Sequence, residues 1–583
     1  MSVWGTIKHL AHYPGHEALI TAPHTYPRTQ KLLLAILVMV GIIGLIGLIT
    51  TFNRQFMVAV PTTGGSLYEG VIGSPRFINP LLANSTADRD LATLVYSGLM
   101  RAQGDEIIPD LAESFTVSTD AKTYTFTLRP NLIWHDGEPV TAADVVFSVE
   151  RAQDPMIKST KRASWEGVKV EAVDAYTVRF ALKQPFANFL ENTTMGLVPK
   201  HLWSEVTTEQ FVASDLNTNP VGTGPYQIKT IKRDRSGIPI FYELSPFKHF
   251  ALGQVHLSQI RLYFYPNEQA LLTAFDHGEI TAINAVSPEI IKLLKQKNIT
   301  VRTTPLPRMF GVFFNQNQAP VLANKEVRQA LDLVTDRQQI IDQVLGGFGL
   351  PVINPINPLT IINASSTATT TNLIRAESLL ISTGWKRDTQ GIWVKTTKTG
   401  RTPLAFSITT SDVTDLKTTA LLLQSMWQKF GAQVEVKIFE IGDLNQNSIR
   451  PRKYDALLFG EIVGRHPDPF SFWHSSQRLD PGLNIALYTN SNVDKLLEDG
   501  RTAVSTESRN VNYTKAANLI KADVPAILLY APYFIYVLPE KIQGVNLDKL
   551  TRPDERFNDI YRWYINTDLV WKIFQAKNNK IIK

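Results

Sequence analysis

The chain has 583 residues, of which 44% are hydrophobic and 19% charged, a composition typical of a globular protein large enough for two or three lobes. Its net charge of +6 is spread without a long basic run, which favours a mixed-sign surface over nucleic-acid binding. It contains no cysteine, which excludes disulfides, thiolate metal sites, cysteine nucleophiles and a lipid-modified cysteine.

One uncharged apolar run, residues 32–52, lies between Lys31 and Arg54. Its 21 residues would rise about 32 Å as a helix, enough to cross a hydrocarbon core of about 30 Å. The run is longer than the apolar region of a signal peptide, and no clear A-x-A cleavage site follows it. We therefore predict an uncleaved transmembrane anchor.

The charges flanking the apolar run predict its orientation. Lys8, Arg28 and Lys31 precede it, so the positive-inside bias places residues 1–31 in the cytoplasm, although Arg54 on the far side weakens that bias. Residues 53–65 have the composition of a short linker, flexible at its Thr- and Gly-rich end. The rest of the chain is then predicted to be extracytoplasmic and tethered to the cell membrane by a single span.

After this linker, strand and helix patterns interleave, which predicts a mixed α/β architecture. Residues 123–129 and 176–182 alternate apolar and polar side chains, as half-buried strands do. Thr141 followed by Asp144 resembles a capping box at the start of a helix. The apolar spacing in residues 325–345 predicts two helices, of which the second ends at a pair of glycines.

Catalytic motifs are missing from the sequence. We find no phosphate-binding loop, no nucleophile elbow of the G-x-S-x-G type and no H-E-x-x-H zinc motif. His135-Asp136 has the composition of an acid–base pair, but it lies in a Trp-His-Asp-Gly turn without a nucleophile, so we interpret it as structural. We therefore predict no catalytic residue, no metal site and no cofactor.

Six blocks in a fixed order resemble the extracellular solute-binding proteins, family 5, of ABC transporters, the oligopeptide- and dipeptide-binding type. The clearest is LRPNLIWHDGEPVTAADVVFSVER, and NPVGTGPYQI is similar to the family's G-T-G-P-Y segment. The six blocks occupy residues 128–151, 219–228, 327–358, 454–473, 483–501 and 522–532.

The resemblance implies a two-lobe periplasmic-binding-protein-like α/β fold of type II with an extra subdomain. Lobe I would comprise residues 66–305 and 530–583, with the subdomain at about 100–194, and lobe II residues 306–529. The implied function is capture of peptides or similar small solutes by hinged closure of the lobes, followed by delivery to the permease subunits of an ABC importer.

The same resemblance implies where the ligand binds. One contacting loop would follow residues 78–80, a second would begin at Gly460, and an asparagine would face the cleft from a third block. The implied ligand-binding residues are Asn84, Ser85, Thr86, Gly460, Glu461, Ile462, Val463, Arg465 and Asn484. The polar residues of the first loop could alternatively be caps of turns.

The sequence departs from the family at one position that matters for the ligand. Peptide-binding members carry an Asp four residues before the proline of a D-P or E-P pair, and it pairs with the ligand's ammonium. Before Pro469 that position is Arg465. Two hypotheses follow: Glu461 replaces the missing carboxylate, or Arg465 makes the site prefer an anionic group. Arg465 could also be only a surface residue.

Three alternative functions stay open on the sequence. The chain could bind a non-peptide solute, or it could be a receptor, signalling or structural ectodomain that kept the fold and lost transport. It could also be a hydrolase whose site has no known motif. The segment of about 30 residues before the anchor gives the signalling alternative some weight, because simple tethering does not need it.

Overall fold

A computed structural model describes residues 27–186, 188–284, 287, 290, 300–359, 370–397, 400–503 and 505–571. The chain divides into two compact units. The smaller contains the residues up to Thr62 and those from Asn566 onwards, and the larger spans Thr63–Ile565. Most of the predicted cytoplasmic segment 1–31 lies outside the described residues. The predicted lobe I reached residue 583, whereas the chain from Asn566 onwards groups with the N-terminal residues.

Strands are numbered in chain order. Their bounds are β1 (Met57–Pro61), β2 (Ser66–Ile72), β3 (Met100–Gln103), β4 (Glu106–Pro109), β5 (Ala112–Val117), β6 (Thr123–Leu128), β7 (Lys169–Ala172), β8 (Thr177–Ala181), β9 (Tyr226–Arg233), β10 (Pro239–Pro246), β11 (Gln259–Tyr265), β12 (Ala282–Asn284), β13 (Thr300–Pro305), β14 (Arg308–Phe314), β15 (Gly349–Pro351), β16 (Trp385–Arg387), β17 (Trp393–Thr397), β18 (Gly400–Pro403), β19 (Ala405–Ser411), β20 (Gln433–Phe439), β21 (Ala456–Ile462), β22 (Ala526–Leu538) and β23 (Thr567–Trp571).

The described helices of eight or more residues are Arg28–Phe56, Thr86–Val95, Ala142–Gln153, Glu268–Asp276, Lys325–Leu333, Arg337–Val344, Thr370–Ser382, Thr414–Phe430, Ser491–Thr502 and Thr506–Asp523. Shorter helical turns are Arg162–Trp165, Phe189–Asn192, Lys200–Trp203, Asp215–Asn217, Pro320–Ala323, Ile441–Asp443, Leu444–Ile449, Phe470–Trp473, Ser475–Gln477, Pro553–Phe557 and Ile560–Arg562.

The smaller unit contains the apolar helix. Within it, Lys31–Asn53 is long and apolar enough, by length and composition, to cross a membrane, with a mean hydropathy of 3.1. The helix runs directly into β1, which pairs antiparallel with β23 over five residue pairs. The rings of Phe56 and Trp571 stack with centroids 6.2 Å apart. The predicted linker 53–65 is therefore wrong for its first part, because a C-terminal strand supplies β1 with backbone partners.

The larger unit is built on a sheet of twelve described strands. Its order is β20-β19-β21-β14-β22-β12-β2-β11-β10-β9, with β13 and β15 also pairing with β22. The first half of β22 pairs with β14, from Ala526 to Tyr530, and the second half with β13, from Tyr533 to Leu538. One long strand thus belongs to both halves of the sheet.

The apolar side chains collect into separate cores on the two halves of the sheet. One core takes residues between Leu67 and Leu306 together with residues between Phe534 and Trp563. Two others take only residues between Met309 and Ala531. A small fourth cluster packs Leu271 and its neighbours against β22. The boundaries between cores lie near the predicted lobe crossings, whose exact bounds stay a prediction.

The elements predicted from local patterns are confirmed. Residues 123–129 and 176–182 form β6 and β8, which pair antiparallel. Thr141 and Asp144 form the capping box of the helix Ala142–Gln153, with the Thr141 N–H donating to Asp144 Oδ2 at 2.8 Å. Residues 325–345 form the two helices Lys325–Leu333 and Arg337–Val344. These features depend on neighbours in sequence, which explains why the sequence reveals them.

Candidate binding site

Two of the family-like blocks meet around the helix Thr86–Val95. Gly222 N–H donates to His135 Nδ1 at 3.3 Å, and His135 Nε2 lies 3.1 Å from Gly224 O. Gly222 and Gly224 press against the backbone of Val95: a Cβ at Gly222 would lie 2.0 Å from the Val95 carbonyl oxygen. Only a residue without a Cβ can come this close to the Val95 backbone, so the two glycines allow this block to pack against the end of the helix.

His135 is a structural residue, as its turn predicted. Because Nδ1 accepts a backbone hydrogen bond, the ring is neutral and its proton sits on Nε2, which donates to Gly224 O. Burial lowers the pKa of His135 to about 4. Asp136 bonds to His201 Nε2 at 2.9 Å instead of to His135. The pair therefore does not form an acid–base dyad.

The first predicted contact loop, Asn84–Thr86, opens the helix Thr86–Val95. Ser85 is its N-cap: Ser85 Oγ accepts from Asp88 N at 3.0 Å, and Asp88 Oδ2 accepts from Ser85 N at 3.2 Å. Asn84 is exposed, and its carbonyl accepts from Arg89 Nη1. The turn-capping interpretation accounts for Ser85, and ligand contact by this loop stays a prediction.

The second predicted contact segment, residues 460–465, begins in the last three residues of β21 and continues past its end, and its residues differ in exposure. A Cβ on Gly460 would lie 2.5 Å from the Phe310 ring, so Gly460 packs against that ring. Ile462 is exposed, whereas Val463 is buried in a core. Glu461 is 5% exposed, and neither of its carboxylate oxygens has a hydrogen-bond partner among the described residues. Burial raises the pKa of Glu461 well above its usual range.

Arg465 already has a counterion. Its Nη2 lies 2.6 Å from Glu555 Oε2, and its side chain is 3% exposed. Its Nη1 donates to the carbonyls of Lys549, at 3.2 Å, and of Gly104. The geometry therefore disfavours the hypothesis that Arg465 makes the site prefer an anionic ligand, because Glu555 already neutralises the guanidinium.

Asn484 has an internal structural role. It is fully buried, its Nδ2 donates to the carbonyls of His474 at 3.1 Å and Tyr488 at 2.9 Å, and its Oδ1 accepts from Tyr488 N at 3.1 Å. Both amide hydrogens are used, so the geometry favours a turn-holding role over the predicted contact with a ligand.

Sequence reasoning did not identify one cavity of about 120 Å³ beside the helix Thr86–Val95. It is lined by residues of that helix, of the segments 96–102 and 194–196, and of the segment Arg552–Asn558. Lys161 and the phenol of Tyr96 also line it. These residues are far apart in sequence and form no motif, so no spacing signal could have brought them together.

Comparison with known proteins gives consistent matches along the chain. The family model of bacterial extracellular solute-binding proteins, family 5 (middle), matches residues 106–480. The oligopeptide-binding protein AppA of Bacillus subtilis (strain 168) is 26% identical over 515 residues, covering 87% of this chain and 92% of AppA. The dipeptide-binding protein of Escherichia coli K12 is 25% identical over 508 residues, covering 82% of this chain and 91% of that protein.

Solved structures match over a similar share of the chain. The substrate-binding protein CtaP of Listeria monocytogenes has a TM-score of 0.72 at 28% identity, covering 86% of this chain and 100% of CtaP. The structure of Bacillus subtilis AppA with a nonapeptide has a TM-score of 0.66 at 26% identity, covering 87% of this chain and 100% of AppA. NikZ of Campylobacter jejuni, with bound Ni(L-His), has a TM-score of 0.66 at 26% identity, covering 86% of this chain and 99% of NikZ.

Proposed function

The chain belongs to the bacterial extracellular solute-binding proteins, family 5, and from that premise we propose that it is a membrane-anchored receptor that captures peptides by hinged closure and hands them to an ABC importer. The mixed α/β fold predicted from the sequence is confirmed by the structural matches. The chain is an extracytoplasmic solute-binding protein of ABC transport and not an enzyme.

The observation that carries the closure mechanism is the pair of strands that link the cores. β14 begins just after Leu306, which belongs to the first core. β22 pairs with β14 in one half of the sheet and with β13 in the other. Two lobes joined by two such connections can open and close about them as about a hinge. A ligand then favours closure by its differential affinity for the closed state.

Contacts across the proposed cleft support a closed arrangement. Arg465 reaches Glu555, and Asn188 Nδ2 donates to His466 O at 2.8 Å. Both contacts join the segment after β21 to residues of the other core side. In the proposed mechanism these contacts form on closure and separate on opening.

We propose Glu461 as the group that recognises the ligand's ammonium. A buried carboxyl without a partner is costly, and an incoming cation removes that cost. The test compares a pool of free-amine peptides with the same peptides N-acetylated, on wild type and on Glu461→Gln. We expect wild type to prefer free amines and Glu461→Gln to lose the preference. Equal binding of both pools by wild type would exclude an amine anchor.

We propose that the apolar helix is retained as the anchor. The span Lys31–Asn53 exceeds the roughly 7–15 apolar residues of a signal peptide. The strand that follows begins at once and is paired with β23, which leaves no extended segment of small residues between them. An intact mass of the membrane-extracted protein that includes residues 1–56 supports retention, and a mass lacking them contradicts it.

The function itself is tested with the full-length protein in detergent. Native mass spectrometry before and after mild denaturation should show release of an adduct of peptide mass, which can then be sequenced. An adduct that is not a peptide would favour the binder of another solute. No adduct, together with no thermal shift against a peptide pool, would favour a receptor that no longer transports.

A further inference from the structure

The cavity beside the helix Thr86–Val95 is of a size for a small polar group and not for a whole peptide. Its volume is about 120 Å³, room for about four water molecules at about 30 Å³ each. Its lining residues fall within 80–196 and 552–558, so it lies on one core side. Glu555 is both in its wall and the partner of Arg465, which places the cavity next to the proposed cleft.

The charges in the cavity wall do not balance. Four cationic side chains line it, Arg89, Arg101, Lys161 and Arg552, against three carboxylates, Asp110, Asp554 and Glu555. Each carboxylate already has a close partner: Arg101 for Asp110 at 2.7 Å, Arg552 for Asp554 at 2.9 Å, and Arg465 for Glu555 at 2.6 Å. Positive charge is therefore in excess.

Lys161 and Arg89 carry that excess. Lys161 makes no ion pair within the described part of the chain, and Arg89 Nε is 3.7 Å from an Asp554 carboxylate that Arg552 already holds more closely. Burial, with Arg552 and Arg89 nearby, lowers the pKa of Lys161 to about 8. An anion in the cavity would supply the missing counterion.

Tyr96 gives a second, independent indication of a ligand. It lines the cavity, is 5% exposed, and its hydroxyl is buried without a hydrogen-bond partner among the described residues. Burial raises the pKa of Tyr96, so the phenol stays protonated and remains a donor. Buried hydroxyls in folded proteins are almost always paired, so an acceptor is expected here.

We propose that this cavity binds a carboxylate group of the transported solute, with Lys161 and Arg89 supplying the charge and the Tyr96 hydroxyl donating a hydrogen bond. A carboxylate fits better than a doubly charged phosphate, because four cations face three carboxylates in the wall and a single negative charge balances them. The assignment rests on the proposed function and refines it: the receptor selects solutes with an acidic group.

The test uses the full-length protein in detergent and acetate as the probe, with sodium chloride at equal ionic strength as the reference. We expect acetate to raise the Tm of wild type in a saturable way. Lys161→Met should weaken the apparent acetate affinity about tenfold or more, and Tyr96→Phe about threefold to tenfold. Lys169→Met, an exposed lysine of β7, is the matched control and should bind acetate like wild type.

The outcomes that overturn the proposal are specific. No acetate effect on wild type, or an equal effect on wild type and Lys161→Met, removes the site. Tighter binding of inorganic phosphate than of acetate overturns the choice of carboxylate. Tyr96→Phe keeps the ring and loses only an unpaired hydroxyl, so it should fold as well as wild type, and its Tm without acetate checks this.

The failure of this inference is distinguishable from failure of the proposed function. If native mass spectrometry shows a peptide adduct on wild type and the same amount on Lys161→Met, the result supports solute capture and contradicts the carboxylate site. If acetate binds as expected but neither protein carries or binds any peptide, the result supports the anion-binding cavity and contradicts the peptide-receptor function.

Discussion

Arg465 and Glu555, 90 positions apart in the chain, form an ion pair with 2.6 Å between Nη2 and Oε2. The Arg465 side chain is 3% exposed and that of Glu555 is 12% exposed, so the pair is shielded from water. Arg465 follows β21, whereas Glu555 lies in the helical turn Pro553–Phe557. The pair thus ties together segments associated with different cores.

We expect strong coupling between these two side chains. In the closed, peptide-bound protein, Arg465→Ala or Glu555→Ala alone should lower the free energy of unfolding by about 3–5 kcal/mol, because each leaves a charge buried in the closed cleft without its partner. The double variant should lose clearly less than the sum of the two. Urea unfolding of the four proteins measures the coupling.

The exposed pair Arg179–Glu171 is the control for this cycle. Its side chains are 46% and 62% exposed, so its coupling should not exceed about 1 kcal/mol. If the Arg465–Glu555 pair couples no more strongly than this exposed pair, its bridging role is wrong.

Arg556 is expected to be essential for stability. It is fully buried and binds two carboxylates, Glu69 at 2.7 Å and Asp90 at 2.6 Å. Burial raises the pKa of Asp90 to about 6, even with Arg556 beside it. Arg556→Met would leave both carboxyls without their buried counterion, so we expect a loss of at least about 3–5 kcal/mol or no folding.

A milder change keeps this prediction testable if Arg556→Met does not fold. Tyr536→Phe removes only the hydroxyl that donates to Glu69 Oε2 at 2.5 Å. We expect it to cost about 1–3 kcal/mol in thermal or urea unfolding. Wild-type stability in both variants would show that the network contributes nothing.

We expect the buried ring of His135 to make the fold less stable in acid. Its pKa falls from 6.5 to about 4 on folding because the ring is buried. The unfolded chain therefore binds this proton more tightly, so the contribution of His135 is complete above about pH 6.5 and is lost as the pH falls towards 4. It amounts to at most about 3 kcal/mol.

The measurement is the urea midpoint between pH 7 and pH 4 for wild type, His135→Gln and His277→Gln. His277 is exposed and serves as the matched control. We expect the slope between pH 6.5 and 4 to flatten in His135→Gln and to stay unchanged in His277→Gln. An unchanged slope in His135→Gln would contradict the neutral, backbone-bonded ring.

Glu461 is expected to destabilise the ligand-free protein at high pH. Its pKa rises on folding from 4.5 because the carboxyl is buried, so the stability it contributes is present below pH 4.5 and is lost as the pH rises through the folded value. Glu461→Gln stays neutral and should therefore be about 1–3 kcal/mol more stable than wild type at pH 8.

The comparison repeats ligand-free urea unfolding at pH 8 and pH 4.5. The two proteins should differ at pH 8 and converge at pH 4.5. Glu435→Gln, on an exposed carboxyl of β20, should show neither effect. A Glu461→Gln variant that is less stable than wild type at pH 8 would mean that the carboxylate has a partner it needs.

Local structure was predictable because its determinants are neighbours in sequence. Alternation in residues 123–129 and the spacing of Thr141 and Asp144 identified β6 and the helix that begins at Ala142. The apolar run identified the helix that contains Lys31–Asn53. The pairing of β1 with β23 was missed, because its two strands lie at opposite ends of the chain.

The candidate site was predictable only in outline. The family blocks pointed to residues 460–465, at the end of β21 and just beyond it, yet they could not show that Arg465 is paired with Glu555 or that the amide of Asn484 is used internally. The blocks also could not show that Lys161 and Tyr96 line the same cavity, because the two residues belong to no common motif.

The sequence by itself determined the fold class, the family, the anchor-like helix and most of the local elements tested, since periodicity, capping and block order are properties of the linear chain. Only the tertiary structure decided which charges are neutralised. Coulomb and desolvation energies depend on distance and burial, and packing brings together residues such as Arg556 and Asp90, 466 positions apart. The roles proposed for Glu461, Lys161 and Tyr96 in ligand recognition rest on the same physics, because the tertiary structure leaves their side-chain polar groups without an ion-pair or hydrogen-bond partner in the described part of the chain.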